Sequence, residues 1–143
     1  MWANPPPASG TVENPANPGA GNNWSVTVPN NVLLHLRGVS FQFLTDANVA
    51  NRYPTLLVNN GTADVIVIPS VVLQTASVTY QWCFSIEAYP ITTAVNNHAT
   101  ARIPRQVVMA PGWTLSSSVW NLQAGDTITN IYIVWGRHVL RST

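Results

Sequence analysis

Residues 78 to 88 alternate without a break: Val78, Tyr80, Trp82, Phe84, Ile86 and Ala88 are apolar, and Thr79, Gln81, Cys83, Ser85 and Glu87 stand between them. Successive side chains of a strand point to opposite faces, whereas a helix that buries one face needs apolar positions three and four apart. The run therefore reads as a half-buried strand. The same period of two recurs along the chain, and no stretch has a convincing helical period. Eleven prolines cut the pattern into short pieces, and proline is poorly tolerated inside helices and central strands. Such a chain is predicted to fold as short strands joined by turns.

In residues 34 to 43 the apolar parity switches, from Leu34 and Leu36 to Val39, Phe41 and Phe43. A one-residue offset beside Gly38 reads as a β-bulge or sharp bend that keeps both halves facing inward. Leu56 to Val58 and Val65 to Ile68 flank Asn59-Asn60-Gly61-Thr62, and Asn-Gly supplies the positive φ angles of a tight hairpin. Further strands are expected at residues 24 to 28, 106 to 109, 113 to 122 and 127 to 135, with breaks at Pro111-Gly112 and Gln123-Ala124-Gly125-Asp126. In the last strand both faces are apolar, Ile128, Tyr132 and Val134 on one and Ile131, Ile133 and Trp135 on the other. It is either central and covered twice, or one face is an interface. Residues 46 to 53 fit a helical turn, and residues 90 to 104 read as a polar loop. The expectation is an all-β chain, a single jelly-roll-like β-sandwich, with a closed small barrel as the main rival.

The sandwich is expected over residues 24 to 143. Residues 1 to 23, MWANPPPASGTVENPANPGAGNN, have too little apolar surface to order themselves and read as an extended Pro/Asn/Gly-rich N-terminal arm. An arm of this kind is held by its own body or laid across a neighbouring subunit. Trp2, Pro5, Pro6, Pro7 and Trp24 are its candidate interface residues, with Trp2 an amphipathic anchor on a tether.

Only 8% of residues are charged against 46% hydrophobic, and the formal net charge is +1. All six basic residues are Arg, with no Lys. Nucleic-acid or anionic-membrane binding by counterion release needs clustered cations, which this sequence lacks. A weakly charged surface without Lys also lacks the usual protection against self-association, so the chain reads as one made to sit in an assembly, as a homo-oligomer. Its apolar runs fall far short of the roughly 20 residues of a membrane helix, and Met1-Trp-Ala-Asn-Pro has neither the basic start nor the apolar run of a signal peptide. The expectation is a protein made without export.

The residues of chemistry are few. Five acids exist, Glu13, Asp46, Asp64, Glu87 and Asp126, and solvated or turn-capping roles account for each more simply than a hydrolytic pair. His35, His98 and His138 have no metal-motif spacing. No metal or other cofactor is expected. Cys83, the single cysteine, has no disulfide partner and reads as an inert strand thiol. Six tryptophans (2, 24, 82, 113, 120 and 135) fit either a sugar-stacking surface or, as the favoured reading, a core plus anchors for the arm. Asn23-Trp24-Ser25 and Asn60-Gly61-Thr62 match the glycosylation acceptor pattern, which means nothing without secretion.

Val39-Ser-Phe-Gln-Phe-Leu-Thr-Asp-Ala-Asn-Val-Ala-Asn-Arg-Tyr-Pro-Thr-Leu, then Ala110-Pro-Gly-Trp-Thr-Leu and Leu122-Gln-Ala-Gly-Asp-Thr-Ile-Thr-Asn-Ile, resemble segments of small accessory structural proteins of tailed bacteriophages. The resemblance implies a non-enzymatic virion protein, a head decoration or cement component located in the particle, whose partners are the major capsid protein or other virion proteins and its own copies, a trimer among the arrangements. It implies for Asn51-Arg52-Tyr53-Pro54 a packing role, with Arg52 bonding backbone carbonyls. The alternative is a receptor- or glycan-binding module of a tail or fibre, and a small hydrolase is the third reading.

Overall fold

The computed structural model describes residues 10–89 and 91–140. Among the described residues ten strands pack as a two-sheet β-sandwich: β1 (Gly10–Glu13), β2 (Ser25–Thr27), β3 (Val32–Leu44), β4 (Thr55–Asn59), β5 (Asp64–Pro69), β6 (Thr79–Ser85), β7 (His98–Arg102), β8 (Val108–Met109), β9 (Thr114–Ser117) and β10 (Thr127–Val139). One sheet has the order β1-β10-β3-β6-β7, with β8 pairing the remaining length of β3, and the other is β2-β9-β4-β5. Both sheets are open, which excludes the closed barrel. Among the described residues there is no helix, so the expected turn at 46 to 53 does not form, and no helix is long enough to cross a membrane.

The parity switch in β3 has the expected cause. Val134 of β10 opposes Gly38 and Trp135 opposes Leu36, so Arg37 is the extra residue. The bulge turns Arg37 outward and keeps Val32, Leu34, Leu36, Val39, Phe41 and Phe43 buried. Strand β10 makes the complementary correction. Between Thr129 and Tyr132 the register shifts by one residue, with Asn130 at φ 51°, so Ile128, Ile131, Ile133 and Trp135 all reach the core while Tyr132 and Val134 face outward. The strand is central in its sheet but covered on one face only.

Trp82 and Phe84 of β6 stack with each other, Phe84 stacks with Phe41, and Trp24 meets Phe41 edge-on. The hairpin β4–β5 closes through Asn60–Ala63, where Gly61 takes φ 96° and the Asn60 side chain accepts from the N–H groups of Thr62 and Ala63.

Three expectations need correction. Residues 98 to 102, placed in a loop, form β7, which runs parallel to β6 with Ala99 beside Trp82 and Ala101 beside Phe84. That parallel pair departs from a purely antiparallel jelly roll. Residues 10 to 13, placed in the arm, pair with Ile133–Gly136 as an edge strand, because β10 offers an open ladder there. The chain is further tied to the body by the Gly21 N–H on the Asp126 carbonyl at 2.8 Å and by Asn23, whose Oδ1 accepts from Ser117 Oγ and Val119 N–H. Trp24 lies in the core, 2% exposed, with its N–H on Ser117 Oγ. It therefore anchors this chain to its own sandwich. Trp2, Pro5, Pro6 and Pro7 lie outside the described residues.

Candidate functional site

The polar centre of the molecule is at one end of the sandwich, where the β3–β4 and β9–β10 connections meet. Arg52 is fully buried, and each of its five N–H donors finds an acceptor. Nε and Nη2 grip Asp126 in two parallel bonds of 3.0 Å, Nη2 also reaches Asp46 Oδ1 at 2.7 Å, and Nη1 donates to the carbonyls of Asn48 and Ala50 at 2.9 and 2.8 Å. The planar guanidinium suits this bidentate geometry, which a lysine could not reproduce. Asp126 is equally complete, since its oxygens also accept from the N–H groups of Asp46 and Gln123, both at 2.8 Å.

Asp46 sits at the rim, with its side chain 17% exposed. Desolvation pushes its carboxyl up, but bonds from the Asn48 N–H and side-chain amide, the Gly125 N–H and the Arg52 charge together outweigh it, so the net position is below the ordinary 3.8. Gly125 has to be glycine for this contact. A Cβ there would lie 2.7 Å from Asp46 Oδ2.

Gln74 carries a second buried network. Its backbone exchanges two 3.0 Å bonds with Arg52, its Nε2 donates to the Phe43 carbonyl at 2.7 Å, and its Oε1 accepts from Trp82 Nε1 at 2.8 Å. The core tryptophan is thereby tied to the arginine knot. Trp24 Nε1 is the one buried side-chain donor without a partner among the described residues.

The knot brings together two of the five acids, but as acceptors already filled around one cation, an arrangement that holds loops rather than one that moves protons. The other groups are dispersed. Glu13 is on β1, Asp64 accepts from Asn59 Nδ2 in the hairpin, and Glu87 follows β6. His35 Nε2 lies 3.2 Å from the Arg105 carbonyl, His98 Nδ1 lies 2.8 Å from the Asn96 carbonyl, and His138 is exposed near the end of β10. Among the described residues no group of three or more His, Cys, Asp or Glu is placed to hold a metal ion. Cys83 faces outward between Ser40 and Thr100, and burial pushes its thiol up from 9.0, which keeps it protonated at neutral pH.

Two surface features remain. On the outer face of the larger sheet, Val134 and Tyr132 are exposed beside a shallow depression of about 280 Å³ over Gly38, Ser40, Cys83 and Ser85, and Val12, also exposed, pairs with Val134 on the far side. Beside the arginine knot, the Trp120 N–H bonds the Tyr53 carbonyl at 3.1 Å, and the two side chains with Thr55, Pro69 and Ser70 line a cleft of about 140 Å³. Trp120 is 61% exposed there. Of the six tryptophans, then, Trp24, Trp82 and Trp135 are core residues, Trp113 packs against the core, and Trp120 stands out on the surface.

No protein-family model and no curated protein matches the chain. Among solved structures, the crystal structure of dimeric latent PorU from Porphyromonas gingivalis is similar at a TM-score of 0.42 and 12% identity, over 89% of this chain and 11% of that one. A likeness so slight, to so small a part of a longer protein, has no bearing on function.

Proposed function

We propose that this chain is a non-enzymatic structural protein of a phage particle, a head decoration or cement protein that acts by burying surface at joints between subunits. The observation that carries the reading is where apolar side chains remain uncovered. Edge strand β5 presents Val65 and Val67, the latter 53% exposed, and the outer face of the larger sheet presents Val12, Tyr132 and Val134. Proteins that stay monomeric commonly blunt such edges and faces with charge, Lys above all, and this sequence has none. The resemblance of residues 39 to 56, 110 to 115 and 122 to 131 to phage accessory proteins supplies the kind of particle.

In this reading the partners are the major capsid protein or its virion neighbours, together with further copies of the chain in a closed ring such as a trimer. Each copy raises the work of separating the subunits it bridges, and repetition over the shell multiplies the effect. Co-sedimentation with particles lacking the protein tests it. Saturable binding at a fixed ratio and a higher temperature of particle opening are expected, and failure to bind any such particle refutes the proposal. A second reading, a receptor- or glycan-binding module, is favoured by one feature, the exposed Trp120 beside Tyr53 on the loops of one end.

A further inference from the structure

We propose that the Trp120–Tyr53 cleft is the docking site for the proline run of another copy of this chain, residues 4 to 8 with Pro5, Pro6 and Pro7 at their centre. The inference deepens the assembly reading and rests on it, by assigning one of the contacts through which copies join.

The cleft is built for a shallow, mainly apolar occupant. Its walls are an exposed indole and a phenol ring, its floor includes Pro69, and about 140 Å³ is less than the roughly 300 Å³ at which pockets enclose small molecules. Its two aliphatic hydroxyls are turned inward. Thr55 and Ser70 are buried, and their hydroxyls lie 3.5 and 3.4 Å from the carbonyls of Tyr53 and Val72. Neither a carboxylate nor a side-chain amide lines the cleft, so a sugar would stack on Trp120 but find few partners for its own hydroxyls. Proline rings need no such partners. Aromatic-walled grooves recognise polyproline segments because those segments bring preformed ridges and lose little entropy on binding, and the fixed φ of proline predisposes Pro5-Pro6-Pro7 to that form.

The chain cannot place these prolines in its own cleft. Gly10 stands opposite Gly136 and Glu13 opposite Ile133, so Gly10 is the end of β1 nearer Val139. The cleft adjoins the knot at the other end, where Asp126 precedes Thr127. From Gly136 back to Thr127 is roughly 30 Å of strand, whereas five residues from Gly10 to Pro5 span at most about 18 Å. The prolines can meet a Trp120 only on a second copy. The contact joins two different patches and closes either as a two-fold pair, in which it is made twice, or as a ring.

The site itself is rigid. Arg52 fixes the backbone next to Tyr53, Asn121 donates from Nδ2 to the Asn51 carbonyl at 2.8 Å, and the Tyr53–Trp120 bridge joins the two loops. Trp120 is thus held out to solvent by a framework that does not need its indole.

The test uses four proteins in sedimentation equilibrium: the unaltered chain, Trp120→Ala, the triple variant P5A/P6A/P7A, and Trp120→Phe as a conservative control. The unaltered chain is expected to associate with rising concentration, each variant alone to do so more weakly by at least about thirtyfold, the loss usual for a single aromatic interface anchor, and Trp120→Phe to fall between. An equimolar mixture of Trp120→Ala with the triple variant restores one arm–cleft contact per mixed pair, and so pairs more strongly than either variant alone, since one brings the intact arm and the other the intact cleft. Association as strong in both variants as in the unaltered chain overturns this inference while leaving the assembly reading in place, as does an unaltered chain that stays monomeric yet binds particles. A monomer that binds no particle overturns both. Calorimetric binding of chitotetraose or maltohexaose that is lost in Trp120→Ala makes the cleft a glycan platform and also overturns the inference.

Discussion

Replacing Arg52 by alanine removes five hydrogen bonds at once and leaves Asp126, which has no solvent exposure, as an unpaired charge. Breaking a buried pair from one side costs about 3–5 kcal/mol, because the remaining ion keeps its desolvation penalty without compensation. A domain of ordinary stability has only about 5–15 kcal/mol in total. Urea unfolding followed by tryptophan fluorescence reads the loss directly: with a slope of about 2 kcal/mol/M, the midpoint falls by roughly 1.5–2.5 M. Arg52→Lys restores the charge but not the fork and is expected to recover less than half. The double variant Arg52→Met with Asp126→Asn removes the two fully buried charges and should be more stable than Arg52→Ala, since only Asp46, at the rim, is then left without its cation. A midpoint for Arg52→Ala within about 0.5 M of the unaltered protein, or a double variant worse than the single one, refutes the view that the knot is a mutually satisfied unit.

The remaining expectations concern single positions. Asp46 is held below the ordinary 3.8 in the folded state, so its contribution is present above that pH and is lost as the pH falls through the lower folded value; the acid limb of the unfolding midpoint should flatten in Asp46→Asn, and an unchanged limb counts against it. Gly125→Ala drives a Cβ to 2.7 Å from Asp46 Oδ2 and should lower stability by about 1–3 kcal/mol, measured by the same urea titration. A Cβ at Gly61 meets nothing within 4 Å, so the cost of Gly61→Val is set by the left-handed backbone, about 1–2 kcal/mol, and no shift in midpoint would contradict that account. Cys83→Ser, on the outer face, should change stability by no more than about 0.5 kcal/mol and leave particle binding intact.

The readable parts of this fold are those where one residue type settles the local geometry. The switch from Leu36 to Val39 fixes the bulge at Arg37, and Asn60-Gly61 fixes the hairpin. The unreadable parts are strands only because a neighbour makes them so. In β7 the inward positions are Ala99 and Ala101, small because Trp82 and Phe84 fill the space beside them, and alanine carries almost no strand signal. In β1 the sequence Gly-Thr-Val-Glu has a single apolar residue, and the open edge of β10 supplies the rest. The site shows the same division. Arg52 does bond backbone carbonyls, those of Asn48 and Ala50, but its pairing with Asp126 spans 74 residues and left no mark beyond the scarcity of charge around each.

That scarcity bears on why a buried ion pair persists where an apolar cluster of similar volume is often as stable. The two loops that meet at the knot have backbone groups with no ladder to join. The carbonyls of Asn48 and Ala50 receive Arg52, the N–H groups of Asp46 and Gln123 give to Asp126, and that of Gly125 gives to Asp46. Leucine or methionine in place of the three charges would leave these five groups without their protein partners, four of them partly buried, and an unsatisfied group costs up to about 1–3 kcal/mol where it is shut off from water. The knot is therefore better understood as side chains completing the backbone of two loops than as an attraction between ions. Because the same loops carry Tyr53 and Trp120, completing them is also what holds the exposed indole in a fixed place without burial of its own.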